Sequence, residues 1–331
     1  MVDLAVVGAG PMGLVTALMA ARAGLKVAIY ERADDFSASA GWKAGGMLAP
    51  ECEGETSDGT VVELGRRSIE LWPTLVEGVK VDGTLVIAGR RDPGMLDKFA
   101  DQTEGFERVD SDQLAELEPA LSGHYARGLY YKNEGHLDPR VTFTRLKKAL
   151  DHLKVKFHFG WVGVLDSLPA GRVVDSRGMG ARDRFKELRG VKGEMALIRS
   201  HDVSLNRPVR LLHHRHPLYV VPRANGVFMI GATTVESDRG DVVTLRSAGE
   251  LLTQAYALHP GFAEAEVLEF NAGLRPALPD NNPVISVGER IVAVNGLYRH
   301  GWLLAPGIAE DLVRVIYMQA TKVIHARPSQ R

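Results

Sequence analysis

Leu4-Ala5-Val6-Val7-Gly8-Ala9-Gly10-Pro11-Met12-Gly13 is the stretch that decides the fold. Leu4 to Val7 is a short apolar run suited to a buried parallel strand. It leads directly into a GxGxxG. Leu14 to Ala23, rich in Ala, Leu and Met, then reads as a helix that Gly24 stops. Lys26 to Tyr30 reads as a second strand, ending at Glu31. Each part has a physical task. Gly8 permits the tight turn out of the strand, Gly10 lets a pyrophosphate approach the backbone, and Gly13 lets the helix pack closely on the sheet. The helix start offers unpaired N–H groups and a positive dipole end to phosphates. Glu31 stands where a carboxylate can accept both ribose hydroxyls. It favours an unphosphorylated ribose, although the adjacent Arg32 leaves the phosphorylated form open. Strand, glycine turn, helix, strand and acid together point to a Rossmann-like dinucleotide-binding domain.

Outward from this start, Arg32 to Pro50 reads as a loop centred on Ala44-Gly45-Gly46-Met47-Leu48-Ala49-Pro50. Its Gly-Gly pair suits either close backbone approach to a ligand or a plain flexible loop. Val61 to Val76 has helical apolar spacing. From Val79 to Gly135 short β-like runs appear, Thr84 to Ala88 and Gly128 to Tyr131, which suggests an inserted second domain. Val141 to Leu153 is helical again. Val173 to Gly180 reads as a strand and glycine turn returning to the first domain. Met195 to Ile198, Leu218 to Pro222, Val227 to Ile230, Val267 to Asn271 and Ile291 to Asn295 read as strands. The last helix is expected from Ile308 to Gln319, after Pro306-Gly307, with a disordered tail from Ala326 to Arg331. The boundaries that follow are 1–78, 138–190 and 268–331 for the nucleotide domain, and 79–137 and 191–267 for the second.

Bulk properties exclude some classes. Hydrophobic residues at 45% and charged residues at 24% match a soluble globular protein. Lys plus Arg number 40 against 41 for Asp plus Glu, so the chain lacks the overall basic charge that general binding to nucleic acid or acidic membranes needs. The one cysteine, Cys52, rules out an intrachain disulfide and a multi-cysteine metal site, and it fits a reducing cytoplasm. The apolar start is broken by Asp3 and ends in glycines, unlike a signal peptide, and no stretch is long and apolar enough to span a bilayer. The expectation is a cytoplasmic protein with no membrane or nucleic-acid partner. His213-His214-Arg215-His216 resembles a metal cluster, but its arginine and the following Pro217 suit a loop better, so no metal is expected.

Towards the C-terminus the segments become specific. Gly273-Leu274-Arg275-Pro276, Pro279-Asp280 and Pro283-Val284-Ile285 are followed by Asn295-Gly296-Leu297-Tyr298-Arg299-His300-Gly301-Trp302-Leu303-Leu304-Ala305-Pro306. This pattern resembles the D-amino-acid oxidase family, and within it the glycine oxidases of thiamine biosynthesis. The loop at 44–50 is similar to their flavin loop. So are Leu218-Tyr219-Val220-Val221-Pro222-Arg223 and Ile230-Gly231-Ala232-Thr233.

The resemblance implies an α/β fold: a Rossmann-like FAD-binding domain of glutathione-reductase type, with an inserted α+β substrate domain on a mixed or antiparallel sheet. It places FAD, held non-covalently, along Gly8, Gly10, Pro11, Met12, Gly13, Glu31 and Arg32. The cofactor would continue past Ala44, Gly45, Gly46 and Met47, with Val162 on the adenine side and Arg299, His300, Gly301, Trp302 and Leu303 near the ring. Cys52 lies far from the C-terminal position at which sarcosine oxidase relatives carry a covalent flavin. The implied chemistry is hydride transfer from the carbon bearing nitrogen to flavin N5, then reoxidation by oxygen to hydrogen peroxide. The imine hydrolyses or feeds thiazole assembly.

Arg275 and Arg299 match the family's substrate-carboxylate positions, Tyr219 its hydroxyl donor, and Met47 its flavin loop. A guanidinium suits that task because it grips a carboxylate bidentately and stays charged. Each position has a plainer alternative: a surface arginine at 275, a structural ion pair at Arg299, a satisfied core tyrosine at 219, packing tryptophans at 42 and 302. No side-chain acid or base is assigned, since the flavin carries the difficult chemistry. The helix near Pro306 would aim its positive end at the flavin's pyrimidine edge. Two positions depart from the resembled pattern. Thr234 replaces a second methionine, and Pro217 stands where a histidine is expected, with His216 one place earlier. The 157–174 region is also trimmed. The expected partners are a small amine or amino acid and O2, with a homo-oligomer and hand-over to thiazole-synthesis proteins left open. The competing functions are a sarcosine or D-amino-acid oxidase, an FAD dehydrogenase using another acceptor, and a non-catalytic flavin-binding subunit.

Overall fold

The computed structural model describes residues 1–325 apart from 58, 90, 91 and 93, with side chains as far as 317. The tail expected to be disordered, 326–331, lies outside these residues.

The apolar first strand, Val2–Val7, is the centre of a six-stranded sheet. It pairs in parallel with Val27–Tyr30 on one side and Ala170–Asp175 on the other. Lys156–His158 extends one edge in parallel; Ile291–Asn295 and then antiparallel Val284–Val287 extend the other. Strands buried on both faces need covers: the helices Pro11–Arg22, Pro139–His152 and Gly301–His325 cover one face, and Trp161, Leu165 and Leu168 pack on the other. Pro139–His152 shows how the sequence specifies one. Asp138 caps it by accepting from the N–H groups of Arg140 and Val141, and Phe143, Leu146 and Leu150 line its buried stripe.

The second layer is a nine-stranded mixed sheet. Its strands come from residues 84–131 and 189–277, so the chain leaves the first layer and returns to it more than once. The long strand Arg189–Arg199 pairs with Val227–Gly231 and Val235–Glu236 on one side and with Glu266–Ala277 along its whole length on the other. The boundary expected at 268 therefore cuts through one continuous strand of this sheet. Antiparallel pairing with Arg189–Arg199, not the Gly-Leu-Arg-Pro motif, sets its membership. Among the described residues no helix is long and apolar enough to cross a membrane.

The last helix departs from expectation. It begins at Gly301 rather than Ile308 and runs through Pro306. Proline lacks the N–H that would bond the carbonyl four residues back, here Trp302. The indole Nε1–H of Trp72 donates to that carbonyl instead, at 3.0 Å. A side chain 230 positions away thus satisfies the acceptor that proline leaves open.

Candidate active site

The glycine turn has the geometry that its sequence demands. Gly8 has φ +100°, and a Cβ there would lie 2.5 Å from the Ser176 carbonyl oxygen. A Cβ on Gly13 would lie 1.9 Å from the Gly8 carbonyl oxygen, so this glycine serves helix-to-strand packing. Gly10 differs: a Cβ would meet only Ser39 Oγ, at 3.4 Å, and the residue opens onto the cavity. Space at Gly10 is therefore left for something that is not protein. Pro11 starts the helix, and no side chain caps it, leaving first-turn N–H groups for an anion. The Glu31 carboxylate accepts from the N–H groups of Ala9 at 2.7 Å and Ala33 at 2.9 Å. These bonds fix it at the strand end with lone pairs remaining for hydroxyls. Arg32 also lines this end. Val162 does not: it is 82% exposed, because the neighbouring Trp161 turns inward against Tyr30.

The flavin-like loop is pressed between protein surfaces. A Cβ on Gly46, at φ +73°, would lie 2.2 Å from the Leu137 carbonyl oxygen. One on Gly45 would lie 2.4 Å from Met229 Cε and 2.9 Å from a ring carbon of Tyr219. The Gly-Gly pair thus allows close approach to the chain's own sheet, while Ala44, Gly45, Gly46 and Met47 still border the cavity. Arg223 clamps this loop, donating to the carbonyls of Leu137 at 2.5 Å and Gly45 at 2.6 Å. Burial lowers its guanidinium to about 10.

One cavity of about 950 Å³ runs from Gly10 and Glu31 past this loop to Tyr219 and Arg275. An open glycine at a helix start, an acid at the second strand end and a continuous groove fit a dinucleotide cofactor such as FAD.

At the far end, Arg275 reaches across the sheet. Its Nη1 donates to the carbonyl of Thr233 at 2.9 Å and, at 3.4 Å, to that of Lys192. Gly193 makes this path available, since a Cβ there would lie 2.3 Å from a guanidinium nitrogen of Arg275. Among the described residues no carboxylate pairs with Arg275, and burial lowers its pKa. Tyr219 borders the same space. Its phenol is raised by burial, with Arg275 acting in the opposite direction. Met47 packs with Met195, Met229 and Tyr219, and Thr234 stands exposed at the cavity lip. The Lys43 ammonium is a further cation here, donating to the Ala272 carbonyl at 3.0 Å.

Arg299 also reaches the cavity but is already engaged. Its Nε donates to one carboxylate oxygen of Glu53 at 2.7 Å, Nη2 lies 2.5 Å from the same oxygen as an ion pair, and Nη2 also meets Thr56 Oγ1. Burial opposes ionisation of Glu53, but Arg299, His300 and Arg210 together hold its carboxyl at about 2. His300 is buried, 3.6 Å from Glu53 and 3.3 Å from Ser57 Oγ. Burial lowers it to about 4 despite the Glu53 charge, so its ring is neutral at pH 7. Gly301, Trp302 and Leu303 follow on the cavity wall, and Gly301 opens the last helix. The positive helix end at the site is thus at Gly301, not Pro306. Trp302 combines the two roles weighed for it. It borders the cavity and packs on Trp72 and Phe143, its indole N–H donating to the Gly41 carbonyl at 2.9 Å.

Sequence reasoning missed Glu53, Gly193, Arg223 and Lys43. Arg223 falls within a motif that assigns it no role. Nothing local marks Glu53, whose partner lies 246 positions away. Cys52 is buried, with its amide N–H on the Glu134 carboxylate at 2.8 Å. The His213–His216 segment folds on itself, Nδ1 of His213 accepting from the N–H groups of Arg215 and His216.

A model of the family described as DAO, FAD dependent oxidoreductase, matches residues 3–315. A Rhizobium etli protein assigned as the thiamine biosynthesis oxidoreductase ThiO is 47% identical over 308 residues, covering 93% of this chain and 94% of the relative. A glycine oxidase of Bacillus licheniformis is 27% identical over 348 residues, covering 95% and 92%. The crystal structure of a Bacillus cereus glycine oxidase superposes with a TM-score of 0.84 at 24% identity, over 96% of this chain and 98% of that one.

Proposed function

From the premise that the chain belongs to the DAO family of FAD-dependent oxidoreductases, we propose that it oxidises glycine and other small amines or amino acids, with O2 as acceptor and hydrogen peroxide as product. The observation that carries this reading is Arg275. It is a half-buried guanidinium at the far end of a dinucleotide groove, beside Tyr219, with no carboxylate partner among the described residues. Such a cation is a ready anchor for a substrate carboxylate.

FAD, when bound, supplies the two-electron oxidation of the carbon bearing nitrogen. The chain's own residues bind and orient. Gly10 and the helix start would hold the pyrophosphate, and Glu31 the ribose. Arg275 would hold the substrate carboxylate, with the Tyr219 hydroxyl beside it. That contact would leave the α-carbon and amine facing the rest of the groove, which the loop at 44–47 borders. The neutral His300 and the engaged Arg299 form the wall where the last helix begins. Thr234, small and at the lip, suits sarcosine or a small D-amino acid beside glycine. The similarity to a thiamine biosynthesis oxidoreductase supports a role in that pathway, with the imine product passed on to thiazole assembly.

The test is direct. The purified yellow protein is mixed without oxygen with glycine, sarcosine and D-alanine, then exposed to air. Bleaching by an amine and recovery in air with one peroxide per turnover supports the reading. Bleaching without recovery in air would make it a dehydrogenase. A flavin that no amine bleaches would make it a non-catalytic subunit.

A further inference from the structure

Behind the cavity, one carboxylate ties together both carbonyls that hold Arg275. Along Arg189–Arg199, alternation puts Gly193 and Met195 on the cavity face and Lys192 and Glu194 on the reverse. Glu194 is fully buried and Lys192 is 4% exposed. The Glu194 carboxylate accepts from Lys192 Nζ at 2.8 Å, Thr233 Oγ1 at 2.8 Å, Ser247 Oγ at 2.5 Å and the Thr244 N–H at 2.9 Å. Thr244 caps the helix Leu245–Leu258, so the carboxylate also fixes a helix start. The backbone closes the same knot. The Glu194 N–H donates to Thr233 Oγ1 at 3.0 Å, and the Thr233 N–H donates to the Glu194 carbonyl at 3.1 Å.

Lys192 and Thr233 are also the residues whose carbonyl oxygens accept from Arg275 Nη1. Glu194 therefore binds the side chains, and Arg275 the carbonyls, of the same two residues. The arrangement contrasts with the other end of the site, where Glu53 contacts Arg299 itself. A direct carboxylate partner consumes a guanidinium's charge and its hydrogen-bonding edge. Carbonyl oxygens orient the guanidinium without neutralising it. The Glu194 charge is balanced by Lys192, which leaves the charge of Arg275 for a ligand.

We propose that Glu194 is a positioning residue for the substrate-carboxylate anchor, acting through Thr233 and Lys192 to hold the Arg275 guanidinium over Gly193. This rests on the reading of Arg275 as that anchor. A positioning role differs from a structural one in what it changes. Misplacing Arg275 weakens every carboxylate ligand, reacting or not, whereas general loosening lowers flavin content and thermal stability.

The experiment uses the FAD-loaded enzyme and two readouts: steady-state kinetics with glycine, and the dissociation constant of acetate, taken from its perturbation of the flavin absorption band. Acetate reports the carboxylate site without turnover. Glu194→Gln and Thr233→Val are each expected to raise the glycine KM and the acetate Kd about tenfold, the equivalent of ~1.4 kcal/mol, with kcat within about twofold of wild type. Thr233→Ser, which keeps the hydroxyl, should restore both. Unchanged KM and Kd would overturn the proposal, as would parallel losses of kcat, flavin and melting temperature without a KM change. If Glu194→Gln fails to fold, the Thr233 pair decides. A wild type that binds acetate but leaves glycine unoxidised sinks the functional reading, and acetate still judges Glu194. A wild type that oxidises glycine but binds no acetate removes Arg275 as the anchor, and this proposal with it.

Discussion

Glu53 fills the guanidinium edge of Arg299 from within the chain, its carboxylate oxygen 2.7 Å from Nε and 2.5 Å from Nη2. Of the two arginines that the sequence offered for a substrate, one is thus structurally committed. Arg299→Lys and Glu53→Gln should therefore cost stability before they cost affinity. Each weakens a partly buried charged hydrogen bond, worth about 1.5–3 kcal/mol. Thermal denaturation and glycine KM, measured on both variants, separate the effects. A KM rise as large as that of Arg275→Lys would show that Arg299 is shared with substrate.

Arg275→Lys keeps the charge but loses the planar fork. The loss of one charged hydrogen bond, about 1.5–3 kcal/mol, amounts to roughly ten- to a hundredfold in apparent affinity. The flavin spectrum should stay near normal. Gly193→Ala should produce a similar loss with Arg275 intact, because its methyl would fall 2.3 Å from the guanidinium. Equal kinetics in Gly193→Ala and wild type would show that the arginine does not need that path.

Gly10→Ala and Gly13→Ala should fail in different ways. At Gly10 the protein itself leaves room for a methyl, so the variant should fold and melt like apoprotein while losing flavin. At Gly13 the methyl would meet the Gly8 carbonyl at 1.9 Å, so the fold itself should suffer. Flavin content and apoprotein melting temperature, taken together, check the distinction. Full flavin occupancy in Gly10→Ala would place the cofactor phosphates elsewhere.

Glu134 makes stability depend on pH. Burial raises its carboxyl from 4.5 to about 7, against the Cys52 N–H bond that lowers it. Unfolding returns the group to its ordinary value, so between 4.5 and 7 the unfolded chain releases a proton that the native chain keeps. The group's contribution is full below 4.5 and is lost as pH rises through 7. Its span is on the order of 3 kcal/mol. Glu134→Gln should remove this slope, gaining on wild type between pH 5 and pH 8 in urea melts. Parallel pH curves for the two proteins would show that Glu134 titrates normally.

Trp72→Phe should expose the proline defect in the last helix. It strips the Trp302 carbonyl of its donor, at a cost of about 1–3 kcal/mol for a buried acceptor, in addition to lost ring packing. Pro306→Ala supplies a backbone N–H to the same carbonyl. Trp72→Phe should therefore cost less in the Pro306→Ala background, with a coupling of about 1 kcal/mol. Strict additivity in chemical denaturation would show that the indole bond contributes nothing.

What the sequence made legible was local or patterned. The first 31 residues carry a complete strand–turn–helix–strand unit, and Gly8, Gly10, Gly13 and Glu31 occupy the places their spacing predicted. Arg275 stands in a motif that the resemblance singles out, and it borders the cavity. Glu53, Arg223 and Glu194 were not legible, because a charged residue reveals nothing of its partner when that partner arrives from another layer. Val162 lies outside the cavity lining with its side chain exposed, while the neighbouring Trp161 packs inward on Tyr30, a choice of side that loop sequence does not encode. The start of the last helix was misread because proline is ordinarily a boundary, and the Trp72 side chain that overrides it lies far away in sequence.

The interleaving of the two sheets has a consequence for dissection. Strands at 2–30, 156–175 and 284–295 build one sheet, and the segments between them build the other. A single protease cut in a connecting loop between the strands at 84–88 and 266–277 leaves both fragments holding parts of both sheets. Neither fragment carries a complete core, so nicked protein should stay associated and retain its colour until denaturant is added. Genetic truncation faces the same obstacle: no one stop codon or new start isolates a nucleotide-binding half, and a minimal version of this enzyme would have to be made by rejoining separate segments.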